Sequence, residues 1–93
     1  MPLYIVVQMC EKRVPLVMIN NGSAVNVCPL KMLVKLGMTT KDLIPSSQVI
    51  RAYDESRRVV EGTFKALVTM GLVTSEVEFL VMDIKATFTL LLG

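Results

Sequence analysis

The sequence of 93 residues contains no histidine and no tryptophan, and it has no long apolar run. Without histidine, the chain cannot form the Ser-His and Cys-His pairs of nucleophilic hydrolases, and most zinc sites lose a common ligand. We therefore expect no metal site and no cofactor. Because no apolar run reaches roughly 18 residues, we also predict no membrane span.

Cysteine is scarce as well. Cys10 and Cys28 are too few and too irregularly spaced for a disulfide framework. We interpret both as reduced thiols of the core, which favours an intracellular, cytoplasmic protein. A catalytic cysteine needs a nearby base, and the sequence offers none.

Charge is nearly balanced, with a net charge of +2 and only two basic pairs, Lys12-Arg13 and Arg57-Arg58. Both pairs fall at predicted hairpin turns, where charges are solvated, so we predict no nucleic-acid partner. Hydrophobic residues make up 53% of the chain, above a usual level of about 45–50%. So short a chain buries only about 60–65% of its unfolded surface. The excess predicts burial against another subunit.

Short segments rich in β-branched residues, several with period-2 alternation, recur along the chain and predict an all-β domain. Many short strands with turns about every 8–12 residues indicate a closed or sandwiched β domain. A polar turn is predicted over residues 11–13. The predicted strands cover Leu3–Met9 and residues 14–19, 24–27, 48–53, 58–60, 64–70, 76–81 and 87–92.

One segment predicts a short helix that starts at Pro29 and ends at Leu36. Proline is favoured at the first helical position, apolar residues follow at helical spacing, and Gly37 suits a C-terminal cap. Residues 39–44 predict a further helical turn before Pro45 ends it.

The apolar run over residues 14–19 leads directly into the loop Asn20-Asn21-Gly22-Ser23. Gly22 supplies the backbone freedom that a tight loop needs. Taken alone, an Asn-Gly pair is typical of an ordinary hairpin turn.

The order of elements and several sequence blocks resemble the retropepsin family of aspartic proteases. The specific block covers residues 16–30, and the supporting blocks are Lys35-Leu36-Gly37, residues 50–54, residues 79–84 and Leu91-Leu92-Gly93. The chain looks most like the protease-like domain of gypsy-type long-terminal-repeat retrotransposon polyproteins of plants. This resemblance implies an all-β, closed barrel-like acid-protease (retropepsin) fold with the one short helix.

The resemblance also implies a site. Asn20 occupies the position of the catalytic Asp, and Asn21 that of a residue whose hydroxyl braces the loops of the dimer. Gly22 and Ser23 match the family pattern, and Leu91-Leu92-Gly93 corresponds to an element behind the active site. The flap that closes over a bound peptide corresponds to the stretch from Ile50, Arg51, Ala52, Tyr53 and Asp54 to Val60, with Glu55 where the family usually has glycine.

Retropepsins form homodimers in which each chain gives one catalytic Asp, and they cut peptide or polyprotein substrates. The resemblance therefore implies a homodimer with such a substrate. It also implies a single domain over residues 1–93, truncated at the C-terminus, because the family continues with a helix and an interface segment.

The asparagine at position 20 predicts that this domain has no peptidase activity. Two carboxylates that share one proton act as base and acid in aspartic proteases, whereas an amide neither accepts nor donates a proton at neutral pH. No other aspartate restores the motif, because none of Asp42, Asp54 and Asp83 is followed by Thr or Ser and then Gly.

We therefore predict an aspartic endopeptidase domain of a retrotransposon polyprotein that has lost its activity. A non-catalytic peptide-binding or assembly (dimerisation) module on the same fold is one alternative, and an unrelated small β-barrel interaction domain is another. The residue encoded at position 20 of the natural gene separates the first two, since Asn20 could be natural or engineered.

Overall fold

The computed structural model describes residues 3–20, 25–46, 49–51 and 57–93. The one α-helix of this part is α1 (Leu30–Lys35), and a single 3-10 turn covers Thr40–Asp42. The strands are β1 (Leu3–Met9), β2 (Lys12–Ile19), β3 (Val27–Pro29), β4 (Val49–Arg51), β5 (Arg57–Met70), β6 (Val73–Met82) and β7 (Leu90–Leu92).

Six of these strands form a closed barrel in the order β1-β2-β7-β3-β6-β5. The barrel closes where β1 pairs with β5, through Gln8 opposite Thr69 and Met9 opposite Val68. The strand β4 adds an antiparallel partner to the start of β5. The predicted all-β, closed barrel-like fold with one short helix is confirmed.

The strand β7 lies between β2 and β3, although β2 and β3 are consecutive in the chain. It runs parallel to β2, with Ile19 opposite Leu92, and antiparallel to β3, with Val27 opposite Leu91. This arrangement places Asn20, which follows Ile19, beside Leu92 at the end of β7.

The main core fills the barrel and continues under α1. Phe64 on β5 and Phe79 on β6 stack with ring centroids 5.3 Å apart, and both are buried. Aromatic pairs of this kind add about 0.5–1.5 kcal/mol beyond the area that they bury. A second, smaller apolar cluster gathers Val27, Val60, Leu80 and Met82, with Val25, Ile84, Phe88 and Leu91 packed against it.

The first hairpin turn differs from the prediction. Its two central residues are Cys10 and Glu11, with φ of 52° and 60°, and Lys12 and Arg13 belong to β2. Positive φ at both positions matches the right-handed twist of the flanking strands, and tight hairpins favour such turns for that reason. The turn signal was misplaced because Asn and Gly, which usually mark this geometry, are absent from it.

The strand β2 contains a bulge. Ile5 pairs with Val17 and Val7 pairs with Val14, so β2 has one extra residue between these pairs. Leu16 lies in the bulge with φ of 58°, and its carbonyl accepts a 3.0 Å hydrogen bond from the N–H of Thr89. The bulge bends β2 where the segment that precedes β7 joins it.

The helix begins one residue later than predicted, because Pro29 is its N-cap with ψ of 142° and pairs with Met82 at the end of β3. Accordingly, β3 lies at Val27–Pro29 and not at residues 24–27. The glycine cap is confirmed by the φ of 79° at Gly37, and the further helical turn is confirmed at Thr40–Asp42. The last strand is shorter than predicted and begins at Leu90.

Candidate functional site

Asn20 directly follows β2 and is exposed. Its backbone N–H donates a 2.9 Å hydrogen bond to the carbonyl of Leu92 at the end of β7. The structure thus brings the Leu91-Leu92-Gly93 element next to Asn20, as the resemblance implies. Three other predicted site residues, Asn21, Gly22 and Ser23, lie outside the described residues.

The predicted flap is described in part. Ile50 and Arg51 belong to β4, where their backbones pair with Arg58 and Arg57 of β5. These pairs define the register of an antiparallel hairpin at the expected place in the chain. Ala52, Tyr53 and Asp54 lie outside the described residues.

Asn26 bonds the segment before β3 to β6 and to the end of β7, and no sequence pattern indicated this role. Its Nδ2 donates to the carbonyl of Glu78 at 3.0 Å, and its Oδ1 accepts from the N–H of Gly93 at 2.9 Å. Its backbone carbonyl accepts a 2.9 Å hydrogen bond from the N–H of Leu80. The one local signal was an amide between two valines in an apparent strand, where asparagine is disfavoured.

The strand β7, which accepts the hydrogen bond of the Asn20 N–H, also contributes to the second apolar cluster. Val25 and Val27 belong to the second apolar cluster, as does Leu91, which directly precedes the residue that binds the Asn20 N–H. Val25 and Leu91 are only partly buried. Val25 and Leu91 therefore leave some apolar surface exposed in the region of the Asn20–Leu92 hydrogen bond.

The aspartates of the described residues have other roles. The Oδ2 of Asp42 accepts a 2.8 Å hydrogen bond from the Thr39 N–H, as the N3 residue of a capping box in which Thr39 is the N-cap of the 3-10 turn. Asp83 is exposed and follows the last residue of β6. Neither belongs to a loop that resembles the motif at Asn20. Within residues 3–20, 25–46, 49–51 and 57–93, no group of three or more His, Cys, Asp or Glu could hold a metal ion.

The two thiols have different environments. Cys28 is fully buried in the main core, as expected, and burial raises its pKa to about 12. Cys10 lies in the first hairpin turn and is only partly buried, and it packs against the edge of the main core instead of inside it. Burial also raises the pKa of Cys10, although nearby Lys12 lowers it. Since the thiolate is the nucleophilic form, these environments disfavour catalysis by either cysteine at neutral pH.

Among the helices that the structure describes, none has the length and apolar character to cross a membrane.

No protein-family profile and no curated protein matches the chain. Two solved structures have similar folds, each with a TM-score of 0.73. One is a retropepsin-like aspartic protease from Rickettsia conorii, with 17% identity over 99% of this chain and 67% of that protein chain. The other is the retroviral protease-like domain of Ddi1 from Leishmania major, with 14% identity over 99% of this chain and 71% of that one. The chain therefore has the retropepsin-like fold.

Proposed function

We propose that this chain is a retropepsin-like domain of a retrotransposon polyprotein that has lost peptidase activity because Asn20 replaces the catalytic aspartate. The observation that carries the proposal is the position of Asn20. It follows β2 of a retropepsin-like barrel, and its N–H binds the carbonyl of Leu92 in the apolar-apolar-Gly element.

Peptide cleavage by an aspartic protease depends on proton transfer. A carboxylate dyad takes a proton from water and gives one to the scissile amide, and each such group contributes roughly 10²–10⁴-fold to the rate. In a homodimer both positions are asparagine, so neither a base nor an acid remains. Among the described residues, neither Asp42 nor Asp83 belongs to the Asn20 loop.

A peptide-binding or assembly module on the same fold is a second candidate. The partly exposed apolar side chains of Val25 and Leu91, in the region where Asn20 bonds to Leu92, support it. Such a surface binds peptide side chains whether or not a carboxylate is present. Homodimerisation belongs to this proposal, because half a site on each chain would form one groove.

The decisive experiment compares the chain that carries Asn20 with Asn20→Asp and Asn20→Ala in cleavage of a broad peptide library between pH 4 and pH 7. We expect cleavage only by Asn20→Asp, with an acidic optimum, because a dyad works when it shares one proton. Asn20→Ala is the matched control, since it changes the same position without adding a carboxylate. Sedimentation of all three forms tests whether each one dimerises.

Pepstatin-sensitive cleavage by the Asn20 form contradicts the proposed inactivity. If the Asn20→Asp variant is folded and dimeric but cleaves no peptide, the binding or assembly module is favoured instead. The polyprotein context has its own test. An antibody to this domain should detect, in cytoplasmic extracts, a product much larger than the 10.3 kDa of the chain.

A further inference from the structure

A groove of about 300 Å³ lies beside the start of β7. Its walls are α1 and the segment that joins β6 to β7, and Leu16 of the β2 bulge closes one side. Because β7 runs parallel to β2, its start lies near Val17 whereas its end lies near Asn20. The groove is therefore at the opposite end of β7 from the candidate site.

Three of the six lysines in the chain, Lys31, Lys35 and Lys85, line this groove. Lys31 and Lys35 are one helical turn apart on α1, so they lie on the same face. No carboxylate lines the groove, and in the described part of the chain no hydrogen bond or ion pair joins these ammonium groups to another group. The positive charge of the groove is thus not neutralised by the described residues.

The lining between the lysines is largely apolar. Met32 is buried, and Ile84 and Phe88 are partly exposed. Ile84 and Phe88 pack against the second apolar cluster, which fixes their positions. Apolar surface with a few placed polar groups is typical of a binding site, in which the charged groups orient the ligand.

We propose that this groove binds an acidic peptide segment in which carboxylates flank one apolar side chain. The carboxylates meet the three lysines, and the apolar side chain contacts Met32 and Phe88. A peptide fits better than a nucleic acid, because three lysines are few for a phosphate backbone and Phe88 packs against the second cluster instead of standing free for base stacking.

The test measures fluorescence anisotropy of a labelled peptide with a central Glu-Glu-Leu-Glu-Glu sequence against the intact chain. Substitution of Lys31→Gln, Lys35→Gln and Lys85→Gln together should weaken binding about tenfold. The matched control, Lys12→Gln with Lys41→Gln and Lys65→Gln, removes the same charge from exposed positions elsewhere and should change the affinity less than about twofold. Circular dichroism checks that both triple variants are folded.

Two further peptides separate the contribution of charge to binding from that of apolar contact. Replacing the four glutamates by glutamine, or the leucine by alanine, should each weaken binding, because the groove contributes both cations and apolar surface. Backbone NMR shifts on addition of the peptide should concentrate in α1 and residues 84–89. Binding should be the same in Asn20→Asp, since residue 20 lies at the other end of β7, so this proposal and the proposed function can fail separately.

Three results would overturn the proposal. The first is no saturable binding at peptide concentrations up to about 1 mM. The second is an equal loss of affinity in the two triple variants, which would show a response to net charge alone. The third is tighter binding of an oligo-thymidylate of matched charge, which would identify a nucleic-acid surface.

Discussion

The side-chain oxygen of Asn26 accepts a 2.9 Å hydrogen bond from the backbone N–H of Gly93, which lies 67 residues further along the chain. The amide nitrogen of the same side chain donates to the carbonyl of Glu78 on β6. One side chain thus ties the end of β7 to β6, close to where β7 binds the N–H of Asn20. The geometry of the candidate site depends on this amide.

We expect Asn26→Ala to lower the free energy of unfolding by about 1 kcal/mol, because it removes two hydrogen bonds whose solvent-exposed partners can bond to water instead. Urea denaturation measures the change. Gln8→Ala removes an exposed amide from β1 and should cost less than about 0.5 kcal/mol. Equal effects of the two substitutions would contradict the role assigned to Asn26.

Gly62 is predicted to tolerate no side chain. A Cβ at this buried position would lie 2.8 Å from the carbonyl oxygen of Ile44 and 2.8 Å from the Cβ of Leu43. Gly62→Ala should therefore cost about 1–3 kcal/mol in urea denaturation, as overpacking of a tight site does.

Gly71→Asn is the matched control for Gly62→Ala. No atom lies within 4 Å of a Cβ at Gly71, and asparagine tolerates its φ of 60° better than other side chains do. We expect this control to cost less than about 1 kcal/mol. If Gly62→Ala destabilises the chain no more than this control does, the predicted clash with Ile44 does not determine stability.

Substitutions in the first hairpin turn should stabilise the protein. Cys10 and Glu11 both have positive φ, which is costly for residues with a Cβ, whereas Asn-Gly adopts this turn readily. The double substitution Cys10→Asn with Glu11→Gly should raise the unfolding free energy by about 1 kcal/mol, and a thermal melt measures it. Glu11→Ala keeps the strain and should give no gain, so stabilisation by this control would argue against the explanation.

The Cys28 thiol should make stability depend on pH in alkaline solution. Burial raises its pKa to about 12 from an ordinary value of 9.0. Below pH 9 the thiol is protonated in both the folded and the unfolded chain, so its contribution to stability is fully present. Above pH 9 the unfolded chain loses this proton first, so stability falls by up to about 1.4 kcal/mol per pH unit until the folded thiol also ionises.

Urea denaturation between pH 8 and pH 11 measures this fall, with Cys28→Ala as the reference. The variant has a lower stability throughout, because it leaves a small cavity, but it lacks this component of the alkaline slope. If both proteins lose stability in parallel, the Cys28 thiol is not the group responsible.

Local patterns predicted the parts of the fold that local physics determines. The alternation over residues 63–69 of β5 and 76–79 of β6 is visible because one face of each strand is more buried than the other. Gly37 marks the helix end because its φ of 79° suits glycine. Pro29 was assigned to the helix because proline has nearly the same φ in a helix as in an extended strand. Only its pairing with Met82, far along the chain, fixes the extended ψ.

In the candidate site, too, only the residue with a local sequence signal was predicted. Asn20 was identified from the residues on either side of it. Asn26 was missed because its partners, Glu78 and Gly93, are 52 and 67 residues away. A periodic pattern of apolar residues in the sequence does not predict a hydrogen bond between residues so far apart in the chain. The three lysines of the groove come from two distant segments, so their proximity also depends on the fold.

The position of β7 has a consequence for biosynthesis. Since β7 separates β2 from β3, those two strands cannot pair directly, and the barrel has a gap until Leu90–Leu92 has been synthesised. While the ribosome makes the preceding residues, the β1–β2 and β5–β6 hairpins can form through local contacts, but the sheet between them cannot close. Closure must then wait for three residues that pair with partners more than 60 positions earlier. The nascent chain therefore exposes unpaired strand edges until the β7 segment has been synthesised, which is the period when chaperone binding is most useful.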